Sequence, residues 1–112
     1  MTTDTLTLPR GALRLTALVE EPAGANSRTP VVFLMHGFPD TPYGWNGVAR
    51  GFLNAGYIVV RPWLRGYTAE SVCMSEDYDP YTAGLDLLAW RERFAGRTVH
   101  LVGHDWGAVA AM

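Results

Sequence analysis

The segment Thr98-Val-His-Leu-Val102-Gly-His-Asp-Trp-Gly107 decides the fold, because it predicts a strand, a tight turn and the start of a helix in that order. Residues 98–102 have the apolar character of a buried strand. Glycines stand two positions before and two positions after Asp105, where a strained turn leaves no room for larger side chains. The helix-prone residues 108–112 follow. We therefore expect Asp105 at the tip of a sharp turn between a strand and a helix.

Two other segments share the character of that strand. Val31-Val-Phe-Leu-Met35 and Ile58-Val-Val60 are apolar on every residue, which a strand needs only when helices cover both faces of its sheet. Apolar residues at helical spacing lie between the strands: Trp45, Val48, Ala49, Phe52 and Leu53 before Gly56, and Leu85, Leu88, Ala89 and Phe94 before Gly96. The alternation of strands and helices predicts an α/β fold with a mostly parallel sheet. We expect right-handed crossovers, with the helices on opposite faces if the strand order reverses.

The amino-terminal part predicts two further strands at a margin of the sheet. Residues 6–8 and 13–19 alternate apolar and polar side chains, which is typical of half-buried strands. The triplet Pro9-Arg-Gly11 between them indicates a turn. Residues 64–79 form a longish predicted loop, and long loops after parallel strands often carry function. We expect all of residues 1–112 to belong to one domain.

The composition excludes several classes of protein. The chain has 48% hydrophobic and 18% charged residues, an ordinary globular composition. Its formal net charge is -2 and its nine Lys and Arg residues are scattered, so we expect no nucleic-acid partner. The single cysteine, Cys73, excludes an internal disulfide and a cysteine-rich zinc cluster. The start of the chain lacks a basic and apolar leader, and no apolar run is long enough to span a membrane, so the sequence predicts a cytoplasmic protein.

Asp105 is the candidate catalytic residue. A carboxylate is already anionic at neutral pH, so it can attack an sp3 carbon without a base to deprotonate it first. Its targets are strained or activated alkyl carbons, such as those of an epoxide or of a carbon–halogen bond, and either reaction gives an alkyl-enzyme ester. The structural alternative is a turn aspartate that caps the following helix. The flanking glycines and the apolar strand before Asp105 favour the nucleophile.

Hydrolysis of such an ester needs main-chain donors aimed at an oxyanion. The N–H of Trp106 is one candidate, because unpaired amides and the helix dipole favour negative charge at the start of a helix. The loop after the first buried strand is His36-Gly-Phe-Pro-Asp40, and the N–H of Phe38 is the second candidate. The predicted site is therefore Asp105 with an oxyanion hole formed by Phe38 and Trp106, and it involves no metal and no cofactor.

Ordered motifs in the chain resemble the α/β-hydrolase superfamily, and within it the epoxide hydrolases. The motifs are His36-Gly-Phe-Pro39, Gly56-Tyr57, Leu64-Arg-Gly-Tyr67 and Gly103-His-Asp-Trp-Gly107. The resemblance runs from about Thr29 to Met112. It implies a hydrolase with an Asp nucleophile and a small hydrophobic substrate. It also implies a cis peptide between Phe38 and Pro39, which helps to turn the amide of the loop inward.

Two related types of enzyme fit these motifs less well. Haloalkane dehalogenases share the Asp-Trp pair of the turn, but they typically have Asn at the position of Phe38, where it helps to hold the halide. Fluoroacetate-dehalogenase-like enzymes usually have Arg at the position of Trp106. Trp63 also departs from the pattern of the epoxide hydrolases themselves. They commonly have Asp after the Pro of this segment, where this chain has Trp63 after Pro62. We expect this departure to identify a subgroup with a different substrate.

The resemblance also implies parts that these 112 residues do not contain. In the family, a water-activating histidine and its acid partner follow the turn by a long distance, and epoxide hydrolases carry tyrosines in a cap that hold the epoxide oxygen. We therefore interpret residues 1–112 as the amino-terminal portion of one α/β-hydrolase domain, truncated after the turn and inactive as a turnover catalyst by itself. The alternative is a non-catalytic chain that either pairs with a separately encoded carboxyl-terminal half or acts as a binding module that retains the turn. The sequence makes no prediction of oligomeric state.

The histidines within the chain are poor candidates for the base. His36 and His104 neighbour the predicted oxyanion loop and the turn, where we expect them to brace the backbone. His100 lies within a predicted buried strand and is expected in the core or facing a helix. The acidic run 76–79 has no histidine partner at ligand spacing, so it predicts a solvated loop and not a metal site.

Overall fold

A computed structural model describes residues 3–10, 13–37, 41–65 and 80–104. The elements in chain order are β1 (Thr3–Arg10), β2 (Leu13–Glu20), β3 (Val31–Met35), a 3₁₀ turn (Pro42–Trp45), α1 (Asn46–Asn54), β4 (Ile58–Pro62), α2 (Pro80–Glu92) and β5 (Val99–Gly103). The predicted alternation of strands and helices after residue 30 is confirmed.

The strands form one five-stranded mixed sheet in the order β1-β2-β4-β3-β5. The pairs β1–β2 and β2–β4 are antiparallel, whereas β3 pairs in parallel with both β4 and β5. After β3 the chain therefore adds β4 on one side and then returns to the other side of β3 to form β5. The strand order reverses at β3, and in open α/β sheets ligands bind beyond the carboxyl ends of strands at such a point.

The two helices cover opposite faces of the sheet. Successive side chains of a strand point to opposite faces, and the residues of β3 divide accordingly. Val31 and Phe33 belong to the core cluster that contains Trp90 of α2, whereas Val32 belongs to the cluster that contains Leu53 of α1. All residues of β3 are buried because both of its faces are covered. The predicted placement of the helices on opposite faces is confirmed.

The buried face of α2 differs from the predicted one. Leu87 and Trp90 are buried in the core, whereas Leu85 and Leu88 are 37% and 56% exposed. The prediction that Leu85 and Leu88 lie on the core face is wrong. Residues 85–90 are apolar at nearly every position, so their spacing is compatible with more than one buried face.

Glycines mark the turns after both helices, as predicted. Gly56 after α1 and Gly96 after α2 have φ angles of 93° and 86°, a region that glycine adopts without the steric cost of a Cβ atom. Within α1, Ala49 and Leu53 are buried as expected. Val48, which the spacing placed on the same face, is 46% exposed, so this assignment is wrong.

The strands β1 and β2 form a hairpin at one margin of the sheet, in the register Arg10 opposite Leu13. Pro9 lies inside β1, where it is opposite Arg14. The predicted turn at residues 9–11 therefore begins too early. Proline lacks an N–H group and is tolerated in an edge strand, which explains why it does not end β1 here.

Candidate active site

The predicted site residues Asp105, Phe38 and Trp106 lie outside the described residues. The structure does describe the carboxyl ends of β3, β4 and β5 and the first residues beyond each strand. The roles of the three site residues stay predictions, but the structure shows where the predicted oxyanion loop and the predicted nucleophile turn begin.

The two loops start side by side. β3 and β5 are adjacent and parallel, with Met35 opposite Gly103 at their carboxyl ends. The N–H of His104 donates to the C=O of Met35 at 3.1 Å, which extends the pairing one residue beyond β5. In the sequence, Phe38 is three residues after Met35 and Asp105 is two residues after Gly103. The strand pairing therefore brings the start of the predicted oxyanion loop next to the start of the predicted nucleophile turn.

His36 is buried at this edge, with 1% of its surface exposed. The N–H of Leu64 donates to its Nε2 at 3.0 Å, and its Nδ1 lies 2.9 Å from the C=O of Gly37. Because a main-chain N–H can only donate, Nε2 carries no proton; the neutral ring therefore holds its proton on Nδ1 and donates it to Gly37. His36 fastens the loop after β3 to the residue that follows β4. The expectation that His36 braces the backbone is confirmed.

A buried ion pair anchors the segment after β4. Arg65 donates from Nε and Nη2 to the carboxylate of Asp86 in α2 at 2.7 and 2.8 Å, and the two side chains are 9% and 8% exposed. Two parallel charge-assisted hydrogen bonds of this kind fix geometry as well as contribute energy. Arg10 of β1 contacts the same carboxylate at 3.2 Å from a more exposed position.

The pair of Arg65 and Asp86 was not predicted from the sequence. The pattern that could have revealed it is a single acidic residue inside the apolar run Leu85-Asp-Leu-Leu-Ala-Trp90. A carboxylate on a buried helix face needs a cationic partner. Arg65, from the Leu64-Arg-Gly-Tyr67 motif, is that partner.

The other two histidines are exposed in the described structure. His104 contributes its main-chain N–H to the pairing with β3, and its side chain is exposed. The expectation that His100 lies in the core or faces a helix is wrong, because β5 is at the margin of the sheet and His100 is exposed there. Its ring contacts Tyr57 edge to face, with 5.7 Å between ring centroids.

A second buried arginine, Arg61 of β4, holds the start of α1. It is 4% exposed and donates to the C=O of Pro42 at 3.1 Å, to Oδ1 of Asn46 at 2.6 Å and to Oε1 of Glu20 at 2.5 Å. A depression of about 570 Å³ lies beside it, between α1 and the margin of the sheet. Since Glu20 already neutralises its charge, we assign Arg61 a structural role.

The described residues enclose little space at the ends of β3 and β4. The cavity between Met35 and Trp90 measures about 10 Å³, roughly the minimum for one water molecule. Among the described ranges, no group of three or more His, Cys, Asp and Glu side chains could hold a metal ion. The acidic run 76–79 falls outside those ranges. No helix in the described part of the chain is long and apolar enough to cross a membrane.

A sheet with helices on both faces and a reversal of strand order defines the class of α/β proteins with an open sheet. The chain belongs to the α/β hydrolase fold family, since its residues 30–112 match the profile of that family.

Several of the similar proteins are epoxide hydrolases. The chain is 40% identical over 81 residues to epoxide hydrolase A of Mycobacterium tuberculosis, a match that covers 71% of this chain and 25% of that protein. It is 37% identical over 83 residues to an epoxide hydrolase of Caballeronia sordidicola, covering 73% of this chain and 25% of that one. The crystal structure of epoxide hydrolase A from Mycobacterium thermoresistibile matches with a TM-score of 0.82 at 30% identity, covering 98% of this chain and 34% of that chain.

The resemblance to epoxide hydrolases that the motifs indicated is confirmed. The chain spans about a quarter of the length of the curated relatives that it matches. The similarity supports a hydrolase of the epoxide-hydrolase type.

Proposed function

We propose that the protein containing this chain opens epoxides of small hydrophobic molecules through an alkyl-enzyme ester on Asp105. The observation that carries the proposal is the parallel pairing of β3 and β5, which the hydrogen bond from His104 to Met35 extends. Because of this pairing, the predicted loop of Phe38 and the predicted turn of Asp105 begin next to each other at one edge of the sheet. The similarity to epoxide hydrolases supports the same reaction.

The proposed reaction has two steps. In the first, a carboxylate oxygen of Asp105 attacks a ring carbon, the carbon–oxygen bond of the epoxide breaks, and the released oxygen takes up a proton to become a hydroxyl. In the second, water attacks the carboxyl carbon of the ester while the N–H groups of Phe38 and Trp106 stabilise the oxyanion. The diol leaves with one of the original oxygens of Asp105. By resemblance, the tyrosines that supply the proton and the histidine that activates the water follow this chain, so turnover is proposed for the whole reading frame.

Diol formation from styrene oxide tests this proposal in the protein expressed over its whole reading frame. We expect turnover by the natural sequence and a decrease in kcat of at least about 10⁴-fold in Asp105→Ala, because the nucleophile is lost. Arg28→Gln, a substitution in the loop that precedes β3, at the opposite end of the sheet from the predicted site, serves as the control and should retain activity. Turnover that survives Asp105→Ala would contradict the proposal.

Dehalogenation of a haloalkane is the second candidate, because the pair Asp105-Trp106 also occurs in haloalkane dehalogenases. Phe38 disfavours it, since a phenyl ring offers no hydrogen bond to a departing halide. Halide release from a 1-haloalkane, without diol formation from epoxides, would favour this alternative. No turnover of either class by the whole protein would favour a non-catalytic chain.

We also propose a cytoplasmic location. Its support is the single cysteine, Cys73, which is compatible with a reducing compartment. Cell fractionation followed by immunodetection tests it, and recovery in the secreted fraction would contradict it.

A further inference from the structure

We propose that His36 is a positioning residue whose Nδ1–H group sets the direction of the peptide group between Gly37 and Phe38. The ring of His36 lies between two main-chain groups, the N–H of Leu64 and the C=O of Gly37, at 3.0 and 2.9 Å. With 1% of its surface exposed, the side chain is protected from water that would compete for these bonds. Only the neutral tautomer with its proton on Nδ1 can form both of these hydrogen bonds.

The effect of the hydrogen bond from His36 to Gly37 follows from the geometry of the peptide bond. The C=O of Gly37 and the N–H of Phe38 belong to the same planar group, and in a trans peptide they point in opposite directions. A donor that holds the C=O of Gly37 on one side therefore directs the N–H of the next residue to the other side. The Nδ1–H of His36 is such a donor.

The ring is itself held in place from the carboxyl end of β4. The N–H of Leu64 selects the tautomer, because it would clash with a proton on Nε2. Leu64 is 9% exposed and precedes Arg65, which is clamped to Asp86 of α2 by two hydrogen bonds. A continuous chain of contacts therefore links α2 to the Gly37 peptide group through Arg65, Leu64 and His36.

The consequence for catalysis rests on the proposed function, whereas the tautomer does not. A main-chain donor of an oxyanion hole contributes only if it is oriented before the charge develops. Without the hydrogen bond from His36, the Gly37 peptide group can rotate and the N–H of Phe38 loses its fixed direction. We expect hydrolysis of the ester to slow, while attack by Asp105 on the epoxide, which needs no oxyanion donor, continues.

Two substitutions separate the two hydrogen bonds of the ring. In His36→Asn, the amide nitrogen replaces Nδ1 and can donate to Gly37, but nothing accepts from Leu64. In His36→Gln, the amide oxygen replaces Nε2 and can accept from Leu64, but the donor to Gly37 is lost. Each variant loses one buried hydrogen bond, so similar thermal midpoints would show that stability does not explain a difference in rate.

The variants are compared in the protein expressed over its whole reading frame, with styrene oxide as substrate. We expect kcat to fall by about 10²-fold in His36→Gln, the size of effect seen when one oxyanion donor is removed. His36→Asn should retain several times more activity than His36→Gln. Intact mass during turnover should show the alkyl-enzyme ester accumulating in His36→Gln. Equal losses in the two variants, or a larger loss in His36→Asn, would overturn the positioning role.

The tautomer is measured separately, in the natural sequence and without substrate. The ¹⁵N chemical shifts of the imidazole nitrogens should show a protonated Nδ1 and an unprotonated Nε2 for His36 at neutral pH, with the signal assigned by its loss in His36→Asn. A proton on Nε2 would overturn the proposal. Failure of the whole protein to convert epoxides would instead contradict the proposed function and leave this measurement unaffected.

Discussion

Asp86 joins α2 to the segment that follows β4. Its carboxylate pairs with Arg65 at 2.7 and 2.8 Å, and both side chains are buried. Asp86→Asn removes the negative charge from this buried ion pair, and we expect the free energy of unfolding to fall by about 3–5 kcal/mol. Urea denaturation measures the change.

Arg10→Gln is the matched control for Asp86→Asn. It removes the contact to the same carboxylate from a side chain that is 33% exposed, and partly exposed ion pairs contribute only about 0–1 kcal/mol. Losses of equal size in the two variants would show that burial does not determine the strength of these contacts.

The histidines show which properties of single residues were predictable. The bracing role of His36 followed from its place beside the predicted oxyanion loop, and the structure bears it out. The two atoms that His36 contacts could not be predicted, since one of them belongs to Leu64, the first residue of a different motif. His100 was misplaced because a single strand does not reveal whether the sheet continues beyond it.

At the scale of elements, the glycines of α1 and of the turn after it allow a matched comparison. Gly56 has a φ of 93°, whereas Gly51 lies inside α1, and a Cβ atom added at either position meets nothing within 4 Å. Gly56→Ala is therefore expected to lower the free energy of unfolding by about 1–2 kcal/mol through backbone strain alone. Gly51→Ala should raise it by about 1 kcal/mol, because alanine is the better helix former. A stabilising effect of Gly56→Ala in thermal denaturation would contradict this account of the turn.

The elements themselves were largely predictable, and their buried faces less so. β3 and β4 were evident because uninterrupted apolar runs occur in strands that are covered on both faces. The buried face of α2 was not, because leucines at positions 85, 87 and 88 suit several faces. Asp86 decides among those faces, because its buried carboxylate must pair with Arg65 and the face of α2 that carries it therefore turns inward. That contact joins residues 21 positions apart and leaves no local pattern.

At the scale of the whole molecule, the two margins of the sheet differ in character. β1 carries Asp4, Pro9 and Arg10, residues that discourage pairing with another strand. β5 has no proline and no acidic, lysine or arginine residue, and within the described ranges nothing pairs with its outer edge. The polypeptide of residues 1–112, expressed by itself, is therefore expected to associate as its concentration rises, which light scattering measures.

Leu101→Lys tests whether β5 is responsible for that association. Leu101 is 46% exposed, and lysine on an edge strand opposes strand pairing. The substitution should reduce association, whereas Thr5→Lys on β1 should have little effect. A monodisperse, cooperatively melting monomer of the natural 112-residue sequence would contradict the expectation.

The arrangement of the candidate site was predictable from the sequence only in outline. The order of the motifs placed two loops at the carboxyl ends of β3 and β5, and the sheet pairs these strands directly. The linkage from Asp86 to Gly37 was not predictable, because it joins side chains and main-chain groups from α2 and from the segments that follow β4 and β3. The positions of Asp105, Phe38 and Trp106 remain predictions.

The most direct test of the central claim is a single turnover of an epoxide in H₂¹⁸O by the protein expressed over its whole reading frame, with enzyme in excess. If Asp105 attacks the epoxide and water then attacks the carboxyl carbon, one ¹⁸O atom enters Asp105 and the diol carries none. Peptide mass spectrometry locates the label, and mass analysis of the diol provides the complementary measurement. Label in the diol with none in Asp105 would mean that water attacks the epoxide directly, and would contradict the account.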